Sequence, residues 1–383
     1  MGETVGQTVE LDCVSANGEM IMKRRAFLKV VGGVVGSCAL GAKRGFGAVE
    51  GSAKERAEKV EGLARRVLGR TKEKVSIVGF PGLALVHYDQ QRCTAGIRDA
   101  FDKGVNYFDV APAYGDAEIK MGVGLQGIDR SKIFLACKTK MRDKEGARKE
   151  LEQSLSRLKT DHFDLYQMHA IFTPDEVRKA LGPGGAVETF LKAKEEGKVR
   201  YFGFSAHTTK GAIAAMKGFR FDTVVFAINF IEFFQMGFGK AVLELANEQG
   251  MGVLAMKPMC GGAWPKGAEN TRQCWYRPLE DAGEIDLALR FSLSQQGVAV
   301  GIPPSYLDLL DKAIQVGKAY HPISDGEVRK LRESAKTRES LFRSEEEKVA
   351  CGWVPDMPIH PDSPHECGPF VTAVEKGGSG VSV

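Results

Sequence analysis

The chain has 383 residues, a formal net charge of +4 and 43% apolar residues, which is the composition of a water-soluble globular protein with room for one large domain or two ordinary ones. The basic excess is small and diffuse, with no interleaving of basic and aromatic residues, and this argues against a nucleic-acid surface. The eight cysteines include no Cys-x-x-Cys pair, so a zinc or iron–sulfur site has no support.

The first segment reads as an address. Residues 23–29 spell KRRAFLK, followed by the apolar stretch VVGGVVGSCALGA. Basic residues, a short apolar stretch and then small residues is the order of an export signal. A bilayer span takes ~20 residues, so this stretch is too short for a stable transmembrane anchor. Arg24 and Arg25, with Phe27, Leu28 and Lys29 behind them, resemble a twin-arginine signal. That resemblance implies the twin-arginine export machinery as a partner and an exported protein of the periplasm or cell envelope. A cytoplasmic protein with an uncleaved N-terminus is the alternative. The expected start is Met22 or Met20, cleavage is expected near Ala48, and Cys38 ends a loose match to a lipoprotein box. Residues 1–48 are thus assigned to the signal segment, and the charged, helix-prone residues 49–73 to a linker or outer helix.

From about Lys74 short β-branched or aromatic runs alternate with longer stretches of helical period. Strands are expected at 75–80, 106–111, 133–139, 163–169, 199–205, 221–229, 252–258 and 298–303. Several are apolar almost throughout, as strands buried on both faces are. Eight strands alternating with helices leave a closed barrel or a doubly wound sheet. A doubly wound dinucleotide fold wants Gly-x-Gly-x-x-Gly after its first strand, where this chain has GFPG at 79–82. Polar residues gather instead at the C-terminal strand ends, where barrels build their sites. The expected fold is α/β, a single-domain (β/α)8 TIM barrel over 74–342, followed by an irregular Pro-rich tail at 343–383 in which Cys351 and Cys367 are the pair to test as a disulfide.

Four strand ends carry chemistry. NYFDVAPAYG sets Asp109 near the end of the second strand and Tyr114 in the loop after it; LACKTK sets Lys138 at the end of the third, and LYQMHA sets His169 at the end of the fourth. Singly, these read as a turn cap, a loop aromatic, a solvated strand end and a core histidine. Together they make a proton donor. A carbonyl that accepts a hydride becomes an alkoxide and needs a proton. A phenol with a pKa of about 10 is a weak source, an adjacent ammonium is expected to lower that pKa, and a carboxylate holds the ammonium. A histidine near the carbonyl oxygen orients it.

These segments resemble the aldo-keto reductase family over roughly residues 74–320. FDVAPAYG is similar to its Asp-Thr-Ala-x-x-Tyr-Gly signature, and LACKTK and LYQMH to its lysine and histidine segments. The resemblance implies NADP or NAD as hydride donor, a small carbonyl substrate, and Asp109, Tyr114, Lys138 and His169 as the catalytic tetrad. For the cofactor it implies Ser205, Asn229, Lys257, Pro258, Gly261, Gly262, Ile302, Pro303 and Ser305. The cofactor side departs from the family pattern: Ala206 replaces an Asn and Val225 a Gln, and residues gripping a 2′-phosphate are not evident. GFS-x-H, Asn229 and MKP-x-x-GG resemble a divergent branch of the family. His207 is read as a loop histidine first and a site residue second. Residues 170–185 and 262–282 are the expected substrate walls, with Trp264, Trp275 and Tyr276 either facing the ligand or packing their own loop. The alternative function is a nicotinamide-binding barrel that serves as a sensor or partner subunit with little turnover.

Overall fold

The computed structural model describes residues 58–60, 62–272 and 274–352, all within one unit, Glu55–Val383. The expected signal segment, Cys38, Cys367 and most of the expected tail lie outside the described residues.

Strands β1 (Glu58–Val60), β2 (Leu63–Val67) and β3 (Lys74–Ser76) form a small antiparallel sheet in that order. The segment expected as a linker or outer helix is therefore in part a hairpin. Within it Arg66 is held by tertiary bonds rather than solvated: its Nη1 donates to the carbonyls of Leu293 at 2.6 Å and Val298 at 2.8 Å. Leu63 and Ala64 are buried beneath it. The expected first strand divides accordingly. Its start, β3, pairs with the hairpin, and only its end enters the barrel.

The barrel strands are β4 (Phe80–Pro81), β5 (Tyr107–Asp109), β6 (Phe134–Thr139), β7 (Phe163–Ile171), β8 (Val199–Ala206), β9 (Thr223–Ala227), β10 (Gly252–Met256) and β11 (Val298–Ile302). All pair in parallel with their sequence neighbours. A parallel bridge between Val78 and Gly301 joins the first strand's lead-in to β11, with the Gly301 amide donating to Ile77 O at 2.8 Å. Around the strands lie α1 (Gln90–Asp102), α2 (Ala117–Gly124), α3 (Lys144–Leu158), α4 (Pro174–Leu181), α5 (Ala186–Glu195), α6 (Thr209–Gly218), α7 (Phe230–Met236), α8 (Lys240–Glu248), α9 (Ala282–Leu293), α10 (Leu307–Lys318), α11 (Asp325–Ala335) and α12 (Arg343–Ala350). Helix α4 starts on a capping box, Thr173 with Glu176, and has Pro174 in its first turn, a local start signal within the expected wall loop. Helix α12 corrects the expectation of irregular chain after 342; Lys210 Nζ of α6 donates to its Val349 carbonyl. Among the described residues no helix is long and apolar enough to cross a membrane.

Side chains alternate along a strand, and this alternation builds the interior. Along one face β5 presents Tyr107 and Asp109, β6 presents Phe134, Ala136 and Lys138, and β7 presents Leu165, Gln167 and His169. Registers align them: Tyr107 pairs with Phe134, Asp109 with Ala136, and Lys138 with Gln167. The lower layers form one apolar cluster, Tyr107, Phe134, Ala136, Leu165, Val225, Leu254 and Val300, closed below by Leu68 and Val75. Moving toward the C-terminal mouth, the same faces turn polar. Gly203 on β8 has no space for a side chain at this level, since a Cβ there would run into Thr223 Oγ1 and lie 3.1 Å from Gln167 Cγ.

Candidate active site

Asp109, Tyr114, Lys138 and His169 meet at the C-terminal mouth, and none is more than 6% exposed. They line a cleft of about 800 Å³, its open mouth included. The Asp109 carboxylate accepts from Lys138 Nζ, from the Tyr107 hydroxyl at 3.2 Å and from Gln167 Nε2 at 3.5 Å. Lys138 also donates to Val110 O at 3.2 Å and is hydrogen-bonded to Tyr114. The Tyr114 and His169 rings stand edge to face, 5.6 Å apart at 81°.

Burial decides the protonation states. It pulls the Lys138 ammonium down, but Asp109 and Tyr114 together more than offset this and hold it charged above the usual lysine range. Burial pushes the Tyr114 phenol up to about 12; Lys138 pulls it down and Asp109 pushes it up again. The expected lowering of the phenol by its ammonium is thus present but outweighed, because desolvation penalises phenolate more than one paired ammonium rewards it. Tyr114 carries its proton at neutral pH.

The backbone at His169 is unusual. Register between β7 and β8 shifts between Met168 and Ile171, and Ala170 has φ 54°, a left-handed conformation that costs a residue with a Cβ about 1–2 kcal/mol. Ser205 Oγ steadies it by accepting from the Ala170 amide at 2.7 Å.

Of the residues expected at the cofactor, Ser205, Lys257, Ile302, Pro303 and Ser305 line the cleft, whereas Asn229, Pro258, Gly261 and Gly262 stand outside its lining. Asn229 Oδ1 caps α7, accepting from the Ile231 and Glu232 amides at 3.1 Å. Gly262, at φ 98°, passes so close to the chain's own Glu339 carbonyl that a Cβ would sit 2.7 Å from it. The Gly261 amide donates to Arg277 O at 2.7 Å, and Pro258 is buried. The Lys257 ammonium lies 5.2 Å from the Trp275 ring centre and 5.4 Å from that of Phe342. His207, read first as a loop histidine, lines the cleft edge-on to Phe172. Trp275 and Tyr276 line it too, while Trp264 packs its own loop through Nε1 to Cys274 O at 2.6 Å.

Sequence reasoning missed Tyr107, Gln167, His87 and Tyr306. For the first two the signal was present: each stands two residues before a site residue, hence on the same strand face. His87 and Tyr306 come together only in the fold, stacked 4.5 Å apart at the cleft wall. Arg272 also lies over the Tyr306 ring, at 5.1 Å, and bridges Glu280 and Asp308. Among the described residues no group of three metal-ligating side chains converges.

Comparison with known proteins agrees with this architecture. The model of the aldo/keto reductase family matches residues 86–336. L-Galactose dehydrogenase of Arabidopsis thaliana is 34% identical over 157 residues, 37% of this chain and 47% of that protein. The uncharacterized oxidoreductase YrpG of Bacillus subtilis is 32% identical over 225 residues, 51% of this chain and 66% of that protein. The chain spans about half the length of most of the curated relatives it matches. The holo form of the aldo-keto reductase AKR11C1 from Bacillus halodurans shares the fold with a TM-score of 0.60 and 24% identity, covering 74% of this chain and 100% of that one. An eight-stranded parallel barrel, matched by the family model from α1 through α11 and thus over more than half of the chain, establishes that the chain belongs to the aldo/keto reductase family.

Proposed function

We propose that this protein is a carbonyl oxidoreductase working with a nicotinamide dinucleotide, NADP or NAD, on an aldehyde or ketone. The observation that carries the reading is the buried chain Asp109–Lys138–Tyr114 with His169 beside it. Structure needs no charged pair in this place, because burying two ions is costly; a proton donor needs both.

Two features of the cleft suit a dinucleotide. Ser205 Oγ accepts from a backbone amide, so its own O–H proton is left to donate into the cleft. The Tyr306 hydroxyl is buried at the wall without a hydrogen-bond partner. Ser205, Lys257, Ile302, Pro303 and Ser305 would hold the cofactor, which supplies the hydride when bound. Tyr114 Oη and the His169 ring frame the position of the substrate's carbonyl oxygen. As negative charge develops there, Tyr114 Oη gives up its proton. The resulting phenolate faces the Lys138 ammonium in a site shielded from water, where such attraction is strong. Asp109, steadied by Tyr107 and Gln167, keeps that ammonium charged and aimed. In the reverse direction Tyr114 Oη receives the proton from the alcohol.

The Arg24–Arg25 segment supports export by the twin-arginine route, which carries folded proteins. Free nicotinamide cofactor is scarce outside the cytoplasm, so the cofactor would travel bound and be held tightly. The GFS-x-H and MKP-x-x-GG segments support membership of a divergent branch.

The test is oxidation of NADPH and NADH with a panel of aldehydes and ketones, beside Tyr114→Phe. Turnover that falls at least about 100-fold in the variant is expected, the usual scale for losing a positioned acid. Tight cofactor binding with no turnover by the wild type would favour a sensor or partner subunit instead.

A further inference from the structure

The kink that follows His169 is held by a buried cation. Arg142, in the loop between β6 and α3, is 3% exposed. Its Nη2 donates to the carbonyl oxygens of His169 at 2.7 Å and Ala170 at 3.3 Å, and its Nη1 to that of Lys140 at 3.0 Å. Its counter-charge is Glu176 on α4, with Nη2 to Oε1 at 3.2 Å. The other Glu176 oxygen accepts from the amides of Phe172 at 2.8 Å and Thr173 at 2.9 Å. One ion pair therefore fixes the carbonyls of residues 169 and 170 and the amides of 172 and 173, and Ser205 holds the amide of 170. The left-handed Ala170 backbone persists because its surroundings over-determine it.

Packing alone gives no reason for this arrangement. A buried guanidinium is expensive unless fully hydrogen-bonded, and Arg142 Nε is buried without a partner. What the guanidinium supplies is a fork that holds Lys140 and the 169–170 pair at once, which a lysine cannot reproduce.

We propose that Arg142 is a positioning residue for the reaction: by gripping the carbonyls of His169 and Ala170 it fixes the His169 imidazole against Tyr114. The proposal rests on the reading of His169 as the group that orients the substrate carbonyl. Lysine at 142 keeps the charge opposite Glu176 and loses the fork; glutamine keeps donors and loses the charge.

The experiment uses the full chain as wild type, Arg142→Lys, Arg142→Gln, His169→Ala and the double variant Arg142→Lys/His169→Ala. Turnover is followed with NADPH and 4-nitrobenzaldehyde. The His169 ring is followed by NMR of histidine-labelled protein, its signal assigned by loss in His169→Ala. For Arg142→Lys the expected result is kcat lower by about 10- to 100-fold, the scale of an ångström of misplacement, with KM within about threefold, and a His169 resonance that shifts or broadens. In the His169→Ala background the same substitution should change kcat by less than about twofold, because the group it positions is gone. Losses that multiply in the double variant would overturn the proposal, as would an unmoved His169 resonance in folded Arg142→Lys. Failure of both Arg142 variants to fold would make the residue a stability element and overturn it too. If His169→Ala keeps full kcat, the reading of His169 fails, and with it the effect of Arg142 on turnover; the NMR result then decides separately whether Arg142 holds the ring.

Discussion

Replacing Lys138 by methionine separates what the buried ion pair does for the fold from what it does for chemistry. Lys138 is 2% exposed and Asp109 5%. Methionine fills similar volume but leaves the Asp109 carboxylate with only the Tyr107 and Gln167 donors. Removing one partner of a buried pair costs about 3–5 kcal/mol, chiefly because the other charge is stranded. Asp109→Asn in the same chain removes that stranded charge and keeps an acceptor for Tyr107, so the double variant should recover all but about 1–2 kcal/mol of the loss. Activity should not follow stability. Both variants lack the ammonium that stabilises Tyr114 phenolate, and both should lose about 100- to 1000-fold in kcat. Urea unfolding gives the first quantity, and NADPH oxidation with saturating aldehyde the second. A single variant as stable as wild type would refute the energetic reasoning. A double variant that regains turnover along with stability would refute the assignment of Lys138 to proton transfer.

Tyr114 makes its own mark on alkaline stability. Its folded pKa of about 12 exceeds the unfolded value of 10.0; the sign follows from the raised value, so this contribution is complete below pH 10 and is lost as pH climbs through 12. At pH 11 the loss is about 1.4 kcal/mol, and the drop in unfolding free energy from pH 8 to pH 11 should be smaller by that amount in Tyr114→Phe; equal drops would contradict the burial argument. Gly262→Ala puts a Cβ 2.7 Å from the Glu339 carbonyl at φ 98°, and a thermal melt should show about 2–3 kcal/mol of destabilisation, with dinucleotide affinity in the folded fraction retained; selective loss of affinity would instead place Gly262 at the cofactor. Arg272→Ala breaks bridges whose carboxylates are nearly half exposed, so stability should fall by no more than about 1 kcal/mol. Cofactor dissociation, followed by stopped-flow fluorescence, should quicken about tenfold as the loop over Tyr306 loosens, and an unchanged rate would sever that loop from cofactor retention.

What could be read in the sequence was whatever a local period or a local chemical need imposes. The strands from the second onward stood out because β-branched and aromatic runs buried on both faces look like nothing else at that length. Asp109, Lys138 and His169 stood out not singly but as a set, because a carboxylate, an ammonium and an imidazole ending successive strands meet at one barrel mouth. Gln167 and Tyr107 were legible in principle, each two residues before a residue already singled out. Most of the rest depended on partners distant in sequence. The charged run near residue 60 has the composition of a helix, but Arg66 reaches Leu293 and Val298, and pairing with β3 overrides propensity. Asn229 resembled a ligand residue; its Oδ1 caps the first turn of α7, a role that Asn before an apolar run fills as readily, while its Nδ2 is buried without a partner. For Tyr114 the sequence led to the wrong sign of the pKa shift, because a neighbouring ammonium can be inferred from sequence order while the depth of burial cannot. Arg142 had no local signal at all: an arginine in a polar loop is ordinary until the fold places the His169 and Ala170 carbonyls under it. A site's reacting groups are thus easier to read than the groups that aim them, since the first are fixed by chemistry and the second by whichever segment happens to lie alongside.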